Sequence, residues 1–80
     1  MITIKKVVAH DNYTMVITLS NNHTIILDMA GKLKTVRFGL LEDLQFFQQV
    51  QTDGTYVRWG NQIELSLSEI FLLTQKPQSN

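Results

Sequence analysis

The sequence predicts a small α+β fold. Its parts are a mostly antiparallel sheet, formed by an N-terminal three-stranded meander plus a C-terminal hairpin, and two short helices laid on one face. Three observations carry this reading. In "YTMVITLS" the residues Tyr13, Met15, Ile17 and Leu19 alternate with Thr14, Val16, Thr18 and Ser20, the period of two of a half-buried strand. Asp53–Gly54 lies between "VQT" and "TYVRW", and Asp-Gly between β-rich runs is a strong hairpin signal. Ser66 and Glu69 have the S-x-x-E spacing of a capping box at the head of an apolar run.

The elements follow in order. Ile2 and Ile4 share one phase and Val7 and Ala9 the other, so a bulge near Lys5–Lys6 is expected in the first strand. "HDN" turns the chain into the second strand. "SNNH" turns it into the third; Asn21 and Asn22 both tolerate positive φ, as a two-residue hairpin turn requires. In "TIILD", Ile25 and Leu27 share a face opposite Ile26. "MAGKLKTVRFG" reads as a loop with one short turn of helix. "LLEDLQFFQQV" reads as a helix, with Leu40, Leu41, Leu44 and Phe47 on one stripe and Glu42 and Asp43 near its N-terminal end. Val57 and Trp59 share a strand face. Gly60–Asn61 turns into the extended piece "IEL", and Leu67, Ile70 and Phe71 form the inner stripe of the last helix. Residues 1–75 make a single domain, and 76–80, with the helix-stopping Pro77, a flexible tail.

Composition bounds the function. The 80 residues suit one domain with a small core. Hydrophobic residues are 44% and charged residues 18%, a globular balance. No apolar run approaches the ~18 residues that cross a bilayer, and "MITIKKVVAH" places its lysines inside an alternating pattern, unlike a signal peptide. A cytoplasmic protein without a membrane partner is expected. The chain has no cysteine, so no disulfide or thiolate metal site can form. Lys and Arg number 7 and Asp and Glu number 7, a net charge of zero that disfavours nucleic-acid binding by this chain alone and leaves self-association little opposed.

The block "VQTDGTYVRWGNQIELSLSEIF" resembles the closing signature of the bacterial family called domain of unknown function 2442, with Trp59, Asn61, Glu64, Leu65 and Phe71 at matching places. The opening "VVAHDNYTMVITLSNNHTIILDM", with its Leu27–Asp28 pair, and the residues Leu41 and Phe47 also resemble that family, so the likeness spans nearly the whole chain. The family commonly has Gly at the place of Gln62, Asp at that of Glu64 and Pro at that of Leu67. The missing glycine bears on the turn, because Gln enters positive φ reluctantly. The resemblance implies a fold and a bacterial or phage cytosolic setting, with no established activity. Some relatives carry an added helix-turn-helix domain, for which this chain leaves no room, and some are encoded beside a small partner in a toxin–antitoxin-like arrangement.

Candidate chemistry is sparse. His10 and His23 lie in expected turns, where histidines are usually solvated, and only Asp28 or Asp11 could join them around a metal. Glu42 and Asp43 complement a helix dipole, Glu69 closes the capping box, and Glu64 suits a structural hydrogen bond to the loop better than acid–base work. Ser66 and Ser68 lack a nearby His or a nucleophile elbow, and the four glycines form no phosphate-binding pattern. Arg58 and Trp59, with Tyr56 and Lys5–Lys6, could offer a stacking surface to single-stranded nucleic acid. The competing reading has more force: a Trp buries roughly 150–250 Å², which a small domain can hardly leave unused, so Trp59 is expected to seal the layer between the hairpin and the closing helix.

The reading is a non-catalytic protein-interaction module that calls for no cofactor and no metal, the regulatory, antitoxin-like half of a two-protein system being its specific form. Its structural residues are Trp59, Asn61, Glu64, Leu65, Ser66 and Glu69. Its interaction surface is drawn from Phe46, Ile70, Leu72 and Leu73, because "IFLLT" and the pair Phe46–Phe47 carry more apolar side chains than one helical stripe can bury. A homodimer or a small partner protein would cover them. The alternative is a small-ligand binder or enzyme with a pocket holding at least two of His10, His23, Asp28 and Glu64.

Overall fold

A computed structural model describes residues 1–74. The expected C-terminal tail lies outside them. The fold is α+β. Strands β1 (Ile4–Ala9), β2 (Thr14–Leu19) and β3 (Thr24–Asp28) form one antiparallel meander, and β4 (Gln51–Thr52), β5 (Tyr56–Trp59) and β6 (Ile63–Ser66) form another. The expected single sheet is two, because among the described residues no ladder joins the two sets of strands, and "IEL" extends the C-terminal hairpin into a third strand. Helix α2 (Leu67–Thr74) follows β6 directly and packs against both β6 and β3.

The bulge falls at Lys5: Ile4 pairs with Leu19 but Lys6 with Thr18, which shifts the phase of β1 by one residue. Both turns of the first meander have three residues, so the second is one residue longer than expected. His10 N–H donates to the Thr14 carbonyl at 2.8 Å and Leu19 N–H to the His23 carbonyl at 2.8 Å. Tyr13 at φ 65° and Asn22 at φ 70° take the left-handed position in each. Asn12 and Asn21 fix these turns by accepting from the N–H groups of Thr14 and His23, both at 3.1 Å. Asn21 itself needs no positive φ.

The expected middle helix is divided. Gly39–Glu42 forms a 3-10 turn, and α1 (Leu44–Phe47) begins afresh at Asp43. Asp43 adopts extended φ and ψ, and its carboxylate accepts from the N–H groups of Gln45 and Phe46, an N-cap in place of a helix interior. Leu41 and Phe47 are buried, while Leu40 leaves the stripe and is 56% exposed. The 30s segment holds the expected short helical turn, Ala30–Lys32, and anchors itself through buried Met29, Leu33 and Phe38.

The core unites Met15, Ile17 and Leu27 of the first sheet with Val57, Trp59 and Leu65 of the second, together with Leu41, Phe47 and Ile70. Trp59 is fully buried, and its ring lies 6.2 Å from that of Phe47 at an interplanar angle of 18°. Its Nε1–H donates to the Phe47 carbonyl at 2.9 Å. The indole thus anchors to α1, the middle helix, and shares the core with Ile70 of the closing helix. Ile4 N–H donates to the Gly54 carbonyl at 2.7 Å, a main-chain bond joining the two sheets.

Candidate functional site

The residues with most to offer a partner gather on and beside α2. The capping box forms as expected: Glu69 N–H donates to Ser66 Oγ at 3.2 Å, and Ser66 N–H to Glu69 Oε1 at 3.3 Å. Glu69 carries a second duty that nothing near it in the sequence signals. Arg37, 32 residues earlier, grips its carboxylate with Nη1 at 2.7 Å and Nη2 at 3.2 Å, and also donates to the Glu64 carbonyl at 3.0 Å. The Arg37 guanidinium, then the Ser66 N–H, holds the Glu69 carboxyl below its ordinary range, and Glu69 raises Arg37 in turn. This fork pins the 30s loop to the start of α2.

The faces of α2 differ from the expected ones. Ile70, expected both on the inner stripe and on the interaction surface, is fully buried, which keeps it on the stripe and removes it from the surface. Phe71, expected inward, is 41% exposed, and Leu72 is 66% exposed. Leu73 is half-buried against the core. The reason is register: the capping box starts the helix at Leu67, which turns Ile70 toward the sheets and the next two residues outward. Phe46 is also half-buried. It lines a separate hollow of about 430 Å³ with Leu40, Asp43 and Gln62.

Glu64 does not bond the loop through its side chain. It pairs across the strands with Arg58, Oε2 to Nε at 3.2 Å, while Asp53 takes Arg58 Nη2 at 3.0 Å. The N–H groups of Thr55 and Tyr56, at 2.9 and 3.0 Å, and then the Arg58 charge, hold the Asp53 carboxyl below its ordinary range. Arg58 also lies over the Tyr56 ring, 5.4 Å from its centroid. Beside this trio runs a shallow cleft of about 390 Å³ floored by the turn Gly60–Gln62. Gly60, at φ 59°, takes the positive φ of that turn, so Gln62 needs none. Asn61 is exposed at its tip, and Leu65 is fully buried.

The four side chains of the alternative pocket are dispersed. His10 and His23 close turns at opposite ends of β2, roughly 17 Å apart by strand rise. Asp28 turns back on its own chain and accepts from Ala30 N–H at 2.9 Å, and Glu64 belongs to the other sheet. Among the described residues no three His, Asp or Glu side chains group as metal ligands, and no helix is long and apolar enough to cross a membrane.

One further surface comes from strand register. Val8 pairs with Val16 and Val16 with Ile26, so these three side chains make an aliphatic row across the outer face of the first sheet. Val8 is 36% and Ile26 68% exposed. The shared even phase of Val16 and Ile26 was the available signal; Val8 joins the row because the first turn sets it opposite Val16.

Comparison of the chain with protein-family models finds no match, and comparison with curated proteins and with solved structures finds none either. The resemblance to domain of unknown function 2442 therefore stands on the residues quoted for it.

Proposed function

We propose that the protein is a non-catalytic protein-interaction module of the bacterial cytoplasm, the regulatory, antitoxin-like half of a two-protein system, with a small partner protein as the occupant of its docking surface. The observation that carries this is the outward pair Phe71 and Leu72 on α2, a helix whose start is held by both a capping box and the Arg37 fork. A preorganised helix presenting apolar side chains is a recurrent recognition element, because little conformational entropy is lost on docking. The paired state of Arg58, Asp53 and Glu64 favours the same reading over catalysis, since each charge is already engaged. The antitoxin-like form rests on the resemblance.

The test is co-expression with the protein encoded beside it, followed by sedimentation velocity of wild type and Leu72→Glu. A complex that Leu72→Glu weakens at least tenfold supports the proposal. A complex indifferent to Leu72→Glu, or no complex at all, overturns it.

A further inference from the structure

The two edges of the first sheet are built differently. β1 begins with the bulge at Lys5 and the adjacent Lys6, and its first residue is already bonded to Gly54. Bulges and edge lysines are standard guards against strand addition. β3, "TIILD", carries no lysine, proline or bulge. The bonds Leu19 to His23 and Met29 to Tyr13 fix the ladder phase: residues 23, 25, 27 and 29 face β2. Thr24, Ile26 and Asp28 therefore aim their N–H and C=O groups away from the sheet. All three side chains are exposed, Ile26 by 68%.

We infer that β3 is a self-association edge whose occupant is β3 of a second copy, paired antiparallel about a two-fold axis at Ile26. The register is self-complementary. It sets Ile26 against Ile26 of the second copy, and Thr24 against Asp28 of the second copy in both halves, hydroxyl donor facing carboxylate acceptor. All three outward residues of each strand then become hydrogen-bonded pairs. The aliphatic row Val8–Val16–Ile26 runs on unbroken into that of the second copy. A net charge of zero adds no general repulsion. The guarded β1 edges end the six-stranded sheet, so the assembly closes as a dimer and does not extend into a fibre. This site is separate from the α2 docking surface and does not depend on it. Its small area places the dimer among weak, transient interfaces.

The test is sedimentation and amide NMR of wild type, Ile26→Lys and Leu72→Glu from about 10 µM to about 1 mM, a range that brackets weak association. The expected result is a wild-type dimer, dilution-dependent shifts at the Thr24, Ile26 and Asp28 amides, at least tenfold weaker association in Ile26→Lys, and an unaffected dimer in Leu72→Glu. A wild type that stays monomeric to the top of the range overturns the inference, as does a dimer that survives Ile26→Lys. Association mapped to α2 and lost in Leu72→Glu also overturns it, while leaving the α2 surface in place. If Ile26→Lys does not fold, the wild-type amide map decides alone.

Discussion

The indole of Trp59 hydrogen-bonds the main-chain carbonyl of Phe47 at 2.9 Å from within the core. One side chain thereby fills the space beneath the second sheet and satisfies a carbonyl of a four-residue helix too short to hold itself. Trp59→Phe keeps most of the packing and removes the donor, leaving a buried carbonyl without it, and is expected to lower stability by about 1–3 kcal/mol. Trp59→Ala is expected to cost about 3–5 kcal/mol, enough to unfold much of a domain whose total is about 5 kcal/mol. Urea titration followed by circular dichroism measures both.

The two faces of α2 give opposite expectations. Ile70 is fully buried and Leu72 is 66% exposed. Ile70→Ala should destabilise the isolated chain by about 2–5 kcal/mol. Leu72→Glu should change it by no more than about 0.5 kcal/mol. Equal urea midpoints for the two variants would contradict the helix register.

Acid should weaken the fold in a defined window. Glu69 and Asp53 bind protons less readily when folded than their ordinary values of 4.5 and 3.8 describe. Their contribution is fully present above those values. It is lost as pH falls through the lower folded-state values. Urea midpoints measured from about pH 7 to about pH 3 should fall at the acid end. Glu69→Gln retains a capping acceptor but not the charge, and should flatten that fall while lowering stability at neutral pH by at most about 1 kcal/mol.

Left-handed positions sort the turn residues. Gly60 stands at φ 59°, and an added Cβ would meet Phe46 no closer than 3.8 Å, so Gly60→Ala suffers from conformation and not from a clash. A loss of about 1 kcal/mol is expected. Asn22, exposed at φ 70°, is the converse case: Asn22→Gly should be neutral or stabilising by a few tenths, and Asn22→Ala destabilising by about 1 kcal/mol. Thermal melts of the three variants check the order.

Local patterning made much of this fold legible. The alternation around Met15 and Ile17, the phase change at Lys5 and the Ser66–Glu69 box all involve residues close in sequence, and each appears where it was expected. Asp43 was misread because a carboxylate suits a helix's first turn and its N-cap alike, and only the backbone decides between them. The turn at Asn21–Asn22 was read one residue short because an Asn side chain, here Asn21, stabilises a longer turn by accepting a main-chain N–H group. Leu72 is exposed as expected, while Ile70, expected both on the inner stripe and on the interaction surface, is buried, since four consecutive apolar residues leave the helix phase undetermined. Arg37 was invisible for a different reason: its partner is 32 residues away, and no short-range pattern encodes such a pair.

Every ladder among the described residues joins strands adjacent along the chain. Each meander can therefore zip by closing loops of a few residues, in the microseconds typical of hairpins. The slow event is left to the encounter of two preformed halves, with Ile4 meeting Gly54 only after both exist. Substitutions where the halves meet should act chiefly on the unfolding rate, while those within a hairpin should retard refolding.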